Sequence, residues 1–316
     1  MTDPTTDRMM DRTKVRTLVT GVSGFIGGEL AGRLLADGHH VRGLSRNPDR
    51  VTFDLPVVRG DAATGEGLDE ALHEVDVAYY LIHSLESGNP EGFAARDRRA
   101  VANFVAAAER ARTRRLVYLG INHPPPGPTL SAHLASRFEV EERLQAASID
   151  TVSVRANFIV SARNPQFRHL MATAELAVIA LPPGHEAKLS PLDSRDVIAC
   201  LVAAAAASTQ PGTYEIGGPE VLTFGELLPR IATAMGLEPE VVAGQLRPED
   251  VTAELMHSIS GIDPAYIGPL LDTARIDLVP EVNQIAALGV TTPVPLDDAL
   301  HHALLGVGGA PQPLEA

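Results

Sequence analysis

The sequence has a single cysteine, Cys200, so one chain cannot hold a disulfide framework or a thiolate metal cluster. No apolar run approaches the ~20 residues of a membrane span, and the polar N-terminus lacks the apolar segment of a signal peptide. Basic residues are scarce as well: the net charge is -14, which argues against nucleic acid as a direct partner. These absences predict a cytoplasmic protein with no membrane partner, in which residues 1–13 are disordered.

The first half of the chain alternates short apolar segments with amphipathic ones. Strands are predicted at Val15–Thr20, His40–Ser45, Pro56–Val58, Val77–Ile82, Leu116–Leu119 and Thr151–Arg155. Helical spacing separates them, and this alternation predicts a parallel sheet with helices on both faces. Ligands in such sheets bind beyond the carboxyl ends of the strands.

The second half has frequent Pro and Gly, and predicted helices outnumber predicted strands. The helices are expected at Pro165–Ile179, Ser194–Ala207, Phe224–Met235, Pro248–Ser258 and Leu296–Leu305. The predicted fold class is α/β: a doubly wound parallel Rossmann sheet with a smaller, mainly helical C-terminal substrate lobe. The expected division is an NADP-binding Rossmann domain at residues 14–160 and a C-terminal substrate lobe at residues 161–316. Some segments of the lobe can return to the Rossmann sheet.

The glycines of Thr20–Gly28 follow the first strand and open the first helix. Gly21 permits a tight turn, Gly24 lets the backbone approach a pyrophosphate, and Gly27 lets helix and strand pack closely. The N-terminus of the helix offers free N–H groups and positive potential to an anion. The alternative is a glycine-rich turn with no ligand.

The Gly-x-x-Gly-x-x-Gly spacing resembles the short-chain dehydrogenase/reductase superfamily, in its extended or atypical branch of NmrA-like NAD(P)H-binding proteins. Gly60-Asp61, Tyr79–Ser84, Arg115–Gly120, Leu192–Val197 and Gly212–Gly218 carry the resemblance further, across most of residues 15–305. The motif and the resemblance together give the expected cofactor-binding residues: Gly21, Ser23, Gly24, Phe25, Ile26, Gly27, Ser45, Arg46, Asp61, Ala62, Leu81, Ile82, His83, Gly120 and Arg137.

The end of the second strand distinguishes NAD from NADP. An acidic residue there would bind the ribose 2′-hydroxyl of NAD, but this sequence has Ser45-Arg46. The arginine can hold the 2′-phosphate of NADP, with the serine adding a hydroxyl. The sequence therefore favours NADP(H), the alternative being that Arg46 only begins a solvated loop.

The catalytic residues of the superfamily are missing. Its reductases use a Tyr-x-x-x-Lys pair and a serine, whereas this sequence has His133 and Arg137 at the four-residue spacing and no serine at the end of the fifth strand. The two share one helix face, so they are the expected catalytic residues, with His133 as acid or base. In the alternative, His133 is a polar residue that covers the cofactor edge without chemistry.

Polar residues at the other strand ends are the expected substrate-pocket residues: Ser84, Asn122, His123 and Asn157. No cluster of ligands suggests a metal site. The sequence predicts an NADP(H)-dependent oxidoreductase acting on a small organic carbonyl, imine or enone, as a monomer or homodimer. The alternatives are a nucleotide-sensing regulator and a non-redox cyclase or isomerase, because fold alone does not settle function.

Overall fold

A computed structural model describes residues 14–51, 53–84, 92–127, 130–244, 251–264, 271 and 275–306. The predicted disorder of residues 1–13 and a helix start predicted at Asn89-Pro90 lie outside these residues. Among the described helices, none is both long and apolar enough to cross a membrane.

The described strands are short, and seven of them form one parallel sheet. In chain order they are β1 (Arg16–Thr20), β2 (His40–Ser45), β3 (Val57–Arg59), β4 (Val77–Tyr80), β5 (Arg115–Gly120), β6 (Asp150–Arg155), β7 (Ile159–Val160), β8 (Val178–Ala180), β9 (Lys188–Leu189), β10 (Leu192–Asp193), β11 (Gly212–Glu215), β12 (Leu222–Thr223) and β13 (Glu240–Val242). The large sheet has the order β11-β6-β5-β4-β1-β2-β3, so the winding reverses between β1 and β4.

The described α-helices cover both faces of this sheet and continue beyond it. They are α1 (Phe25–Ala36), α2 (Leu68–Leu72), α3 (Phe93–Ala111), α4 (Ala132–Gln145), α5 (Pro165–Ala174), α6 (Ser194–Ala205), α7 (Phe224–Ala234), α8 (Ala253–Ser260) and α9 (Leu296–Leu305). One apolar cluster packs α1 and α6 on one face, and a second packs α2, α3 and α4 on the other. The predicted doubly wound parallel sheet is therefore confirmed.

The chain after β6 builds a third apolar cluster, and part of it returns to the sheet. This cluster joins α5, α7 and α9, while β11 pairs with β6 as the edge strand. The helix predicted at Pro165–Ile179 is wrong at its C-terminal end: α5 stops at Ala174, and Val178–Ala180 pairs with β13. Branching at Val178 and Ile179 favours a strand, and the partner β13 comes from far along the chain.

Candidate nucleotide-binding and active site

The turn between β1 and α1 requires two of its three motif glycines for steric reasons. Gly21 has φ +64°, and a Cβ there would lie 2.9 Å from the Leu81 carbonyl oxygen. A Cβ on Gly27 would lie only 2.3 Å from the Gly21 carbonyl oxygen. Gly24 is the helix N-cap, with extended backbone and no capping side chain, so the first N–H groups of α1 are left for an anion.

A groove of about 710 Å³ lies beyond the carboxyl ends of β1, β2 and β4. It sits where the strand order reverses, which is where open α/β sheets bind their ligands. Most of the residues predicted to bind the nucleotide line it, together with one predicted substrate residue: Gly21, Ser23, Gly24, Ser45, Arg46, Asp61, Ala62, Leu81, Ile82, His83 and Ser84. The shape and glycine cradle of the groove fit a dinucleotide.

Arg46 and Ser45 form one end of this groove. The Ser45 hydroxyl donates to Ser23 Oγ at 3.3 Å and accepts from the Asn47 N–H at 3.1 Å. The Arg46 side chain is exposed, and no described carboxylate pairs with its guanidinium; only its carbonyl oxygen is engaged, by Arg59 Nη1 at 3.1 Å. An exposed guanidinium that pairs with no described carboxylate at the end of a groove is suited to bind a phosphate.

Sequence reasoning missed Arg96, which also lines the groove. Its guanidinium pairs with Asp61 Oδ2, while Asp61 Oδ1 accepts from the Ala63 N–H at 2.9 Å. Asp61, one of the expected cofactor-binding residues, is thus already held by protein groups. The only signal in the sequence was that Arg96 and Ala100 are one turn apart on α3, so that both reach the groove.

His83 and His133 lie side by side, with ring centroids 5.2 Å apart at an interplanar angle of 65°. His83 lines the end of the groove opposite Arg46, and His133 is buried in the first turn of α4. Phe93 also packs against His133, with ring centroids 6.3 Å apart. The predicted catalytic histidine therefore lies one ring away from the groove.

Arg137, one turn after His133, holds the ends of two strands. Its Nη1 donates to the Ile82 carbonyl at 3.2 Å and its Nη2 to the Leu119 carbonyl at 2.6 Å. The guanidinium carbon stacks 4.9 Å from the centre of the Tyr118 ring, whose hydroxyl donates to the Arg137 carbonyl at 3.1 Å. Arg137 is thereby fixed beside the groove as a buried cation.

Burial and this cation keep both imidazoles neutral. Loss of solvation, and secondarily the Arg137 charge, lower the pKa of His133 to about 3. Burial, Arg137 and His133 together hold the pKa of His83 well below its ordinary value. A neutral imidazole still donates through one ring N–H, so the pair can polarise an oxygen without carrying a charge.

The remaining predicted residues do not line the groove. Asn122 is fully buried, and its Nδ2 donates to the Ile216 carbonyl at 3.2 Å. His123 is exposed and stacks on Phe138, with ring centroids 3.9 Å apart. Phe25, Ile26, Gly120 and Asn157 are half-buried or buried near the same strand ends.

A buried ion cluster supports the strand ends near Asn122. Arg155 Nε lies 3.0 Å from both oxygens of Glu141, and Arg155 Nη1 lies 3.2 Å from Glu215 Oε1. Because each charge has an opposite partner, the cluster ties α4, β6 and β11 together. Among the described residues, no group of His, Cys, Asp or Glu is placed to hold a metal ion.

A family model described as NAD(P)H-binding matches residues 21–207, which include the glycine turn and the groove. The chain belongs to this NAD(P)H-binding family. It is 28% identical to the (4-alkanoyl-5-oxo-2,5-dihydrofuran-3-yl)methyl phosphate reductase of Streptomyces griseus, over 69% of this chain and 73% of that protein. It is 24% identical to the 2-alkyl-3-oxoalkanoate reductase of Shewanella oneidensis, over 70% of this chain and 66% of that protein. It spans only 27% of an uncharacterized Mycobacterium bovis protein to which it is 26% identical.

Solved structures of similar fold cover nearly the whole chain of this NAD(P)H-binding protein. A nucleoside-diphosphate-sugar epimerase from Staphylococcus aureus matches with TM-score 0.71 and 19% identity, covering 90% of this chain and 99% of that one. The Bordetella bronchiseptica enzyme WbmH, in complex with NAD+, matches with TM-score 0.68 and 18% identity, covering 92% and 97%. The prediction of an NAD(P)H-binding protein is confirmed, the solved structures share its fold, and the matches support a nicotinamide cofactor and an oxidoreductase.

Proposed function

We propose that the protein is an NADP(H)-dependent reductase of a small organic carbonyl, imine or enone. The observation that carries the proposal is one continuous groove with the glycine turn and the unpaired Arg46 at one end and His83 at the other. The first end suits the phosphates of a nucleotide, and the second offers neutral hydrogen-bond donors. When bound, NADPH supplies the hydride.

The preference for NADP(H) rests on charge at the end of β2. Arg46 is free to pair with a 2′-phosphate, and Ser45 lies beside it with a hydroxyl already oriented by Ser23 and Asn47. NAD(H) lacks that phosphate and would leave the Arg46 charge unpaired in the groove. Among the described residues from β2 that line the groove, none is a carboxylate that could bind the ribose hydroxyl of NAD.

His133 would act as a hydrogen-bond donor to the substrate oxygen, and not as an imidazolium acid. Its pKa of about 3 makes the charged form negligible at neutral pH. Its place in the first turn of α4 adds to this, because a helix N-terminus also disfavours a cation. Arg137 would be a positioning residue, since two of its nitrogens are engaged by strand-end carbonyls.

The names of two relatives support a carbonyl-bearing substrate. Both are reductases, one of an alkanoyl- and oxo-bearing phosphate and the other of an oxoalkanoate. We extend this class to the present chain and place the substrate between the His83 end of the groove and the lobe of residues 161–316, with Ser84, Asn122, His123 and Asn157 nearby.

A nucleotide-sensing regulator is the second candidate, favoured by one observation. Tyr79, Tyr80 and Tyr118 are fully buried in the sheet, and no tyrosine is among the described residues that line the groove. A regulator would bind the nucleotide and turn nothing over.

The experiment separates binding from turnover. Calorimetric titration with NADPH and NADH measures the cofactor preference, and loss of dihydronicotinamide absorbance is followed with a panel of ketones, 3-oxo acids, imines and enones. We expect tighter NADPH binding and oxidation with one substrate class. Tight NADPH binding without any oxidation would favour the regulator, and equal or tighter NADH binding would overturn the cofactor assignment.

A further inference from the structure

A second cavity, of about 900 Å³, lies within the C-terminal part of the chain. Its walls come from α5, α7, α8 and the turn that follows β8. Most of the lining is apolar: Pro165, Leu170, Ala180, Pro182, Pro183, Phe224, Leu228, Val251, Met256, Ile262 and Leu271. A concave apolar lining with a few polar side chains is typical of a small-molecule site.

This apolar pocket is separate from the nucleotide groove. The two cavities share no lining residue, and Leu170 and Leu228 of its wall belong to the third apolar cluster. The other two clusters pack against the large sheet. The pocket therefore has a core of its own, and nothing in the nucleotide site accounts for it.

Five polar side chains stand among the apolar ones: Gln166, His169, Thr173, His185 and Arg275. Two of them, His169 and Arg275, bear on the kind of ligand. His169 Nδ1 is buried with no hydrogen-bond partner among the described residues, and burial lowers the pKa of this imidazole, which keeps it neutral. Arg275 is exposed, and its stem lies over Gly184, where a Cβ would be 2.7 Å from Arg275 Cγ. No carboxylate of the described residues pairs with its guanidinium. In a chain of net charge -14, an unpaired arginine beside an apolar cavity suits an anion.

We infer that this pocket binds the alkyl chain of a single-chain carboxylate, with the carboxylate at Arg275 and the chain between α5, α7 and α8. Apolar walls recognise the chain by removing its methylenes from water, while the guanidinium recognises the head. The inference does not depend on the proposed reductase activity, because the binding can be measured without cofactor or turnover.

A homologous series of straight-chain acids tests the inference on the full chain. Calorimetric titration with butanoate, hexanoate and octanoate should show affinity rising about fourfold for each added methylene. Ala180→Trp should fill the pocket and abolish octanoate binding. Ala177→Trp places the same side chain three residues earlier, at an exposed position outside the lining, and should leave octanoate binding unchanged.

Two further variants locate the head group and the cavity. Arg275→Gln at the surface should weaken octanoate binding about two- to fivefold and leave octan-1-ol binding unchanged. Gly24→Val, which obstructs only the nucleotide groove, should not alter octanoate affinity. Affinity independent of chain length, equal losses for both tryptophan variants, equal losses of acid and alcohol on Arg275→Gln, or loss of octanoate binding in Gly24→Val would each overturn the inference.

Discussion

The nucleotide groove and the apolar pocket are built in different ways. The phosphate end of the groove is made of backbone, from the glycine turn that begins at Gly21, and the rest comes from residues at the ends of adjacent parallel strands. The pocket is made of side chains that lie as far apart in the chain as Pro165 and Arg275. A site built of backbone depends on a short motif and tolerates change elsewhere, whereas a site built of side chains depends on how several helices pack.

The largest expected effect comes from a side chain at Gly24 that keeps the cofactor pyrophosphate away from the backbone. The extended backbone at Gly24 is one that any residue can adopt, and an added Cβ would lie 3.1 Å from the Gly21 carbonyl oxygen, so the turn must shift by a few tenths of an ångström to admit it. Gly24→Val should therefore remain folded and lose NADPH binding at least about a hundredfold, because the side chain occupies the pyrophosphate position.

Gly28→Ala, one turn further along α1, is the matched control. Its new methyl group would meet only the tip of the Arg163 side chain and the Phe53 ring, outside the groove. Calorimetric binding and circular dichroism are measured on both variants. A folded Gly24→Val protein that binds NADPH normally would show that the groove is not the nucleotide site.

A second test concerns the chemistry expected at the His83 end. His133→Ala should lower kcat about 100- to 1,000-fold, the effect of removing one donor to a developing oxyanion, with NADPH affinity unchanged. His301→Ala, at an exposed position on α9, is the control. Unchanged kcat in His133→Ala would remove His133 from the chemistry.

The cofactor preference is a smaller and more local effect. Arg46→Asp should weaken NADPH binding about ten- to a hundredfold and strengthen NADH binding, since a carboxylate repels the 2′-phosphate and accepts from the 2′-hydroxyl. Arg50→Asp makes the same change of charge four residues later, outside the groove lining. Equal losses in the two variants would mean that only the overall charge matters.

The smallest expected effect is on stability and follows from the neutral imidazole. An unfolded chain protonates His133 near pH 6.5, whereas the folded protein does so only near pH 3. The contribution of the neutral imidazole to the free energy of unfolding is thus fully present above about pH 6.5, and it is lost as the pH falls below that value. Between about pH 7 and about pH 5 the loss from this one group is about 2 kcal/mol.

Urea unfolding at the two pH values measures this loss in the parent protein and in His133→Phe. The phenylalanine ring suits the surroundings of His83 and Phe93 and cannot take up a proton. Between the two pH values, the free energy of unfolding of His133→Phe should fall by about 2 kcal/mol less than that of the parent protein. An identical loss in both proteins would mean that His133 is protonated in the folded state.

Local patterns in the sequence predicted much of the fold. The bounds of β2 and α9 agree residue for residue with the structure, because alternating or helical apolar spacing ends there at Gly, Pro or polar residues. The strand at Val178–Ala180 was missed since its partner β13 lies about sixty residues away.

The candidate site was predictable where backbone forms it and not where packing does. The glycine turn and Arg46 follow directly from the order of residues, but the ion pair of Arg96 with Asp61 needs α3 to be placed on the sheet. The low pKa of His133 likewise comes from burial, which the sequence does not display. The boundary at residue 160, the monomeric or homodimeric state and the cytoplasmic location stay predictions.

Arg137 restricts the order in which this chain could acquire the tyrosine and lysine of ordinary reductases. Its two donors serve the Ile82 and Leu119 carbonyls together, and a lysine, with one terminal nitrogen, lacks the planar fork that makes this possible. Arg137→Lys alone therefore gives up a strand-end bond with no gain in chemistry. His133→Tyr alone crowds the rings of His83 and Phe93 and finds no lysine beside it. The two positions must therefore change together, because either replacement alone costs contacts and does not create the common catalytic pair.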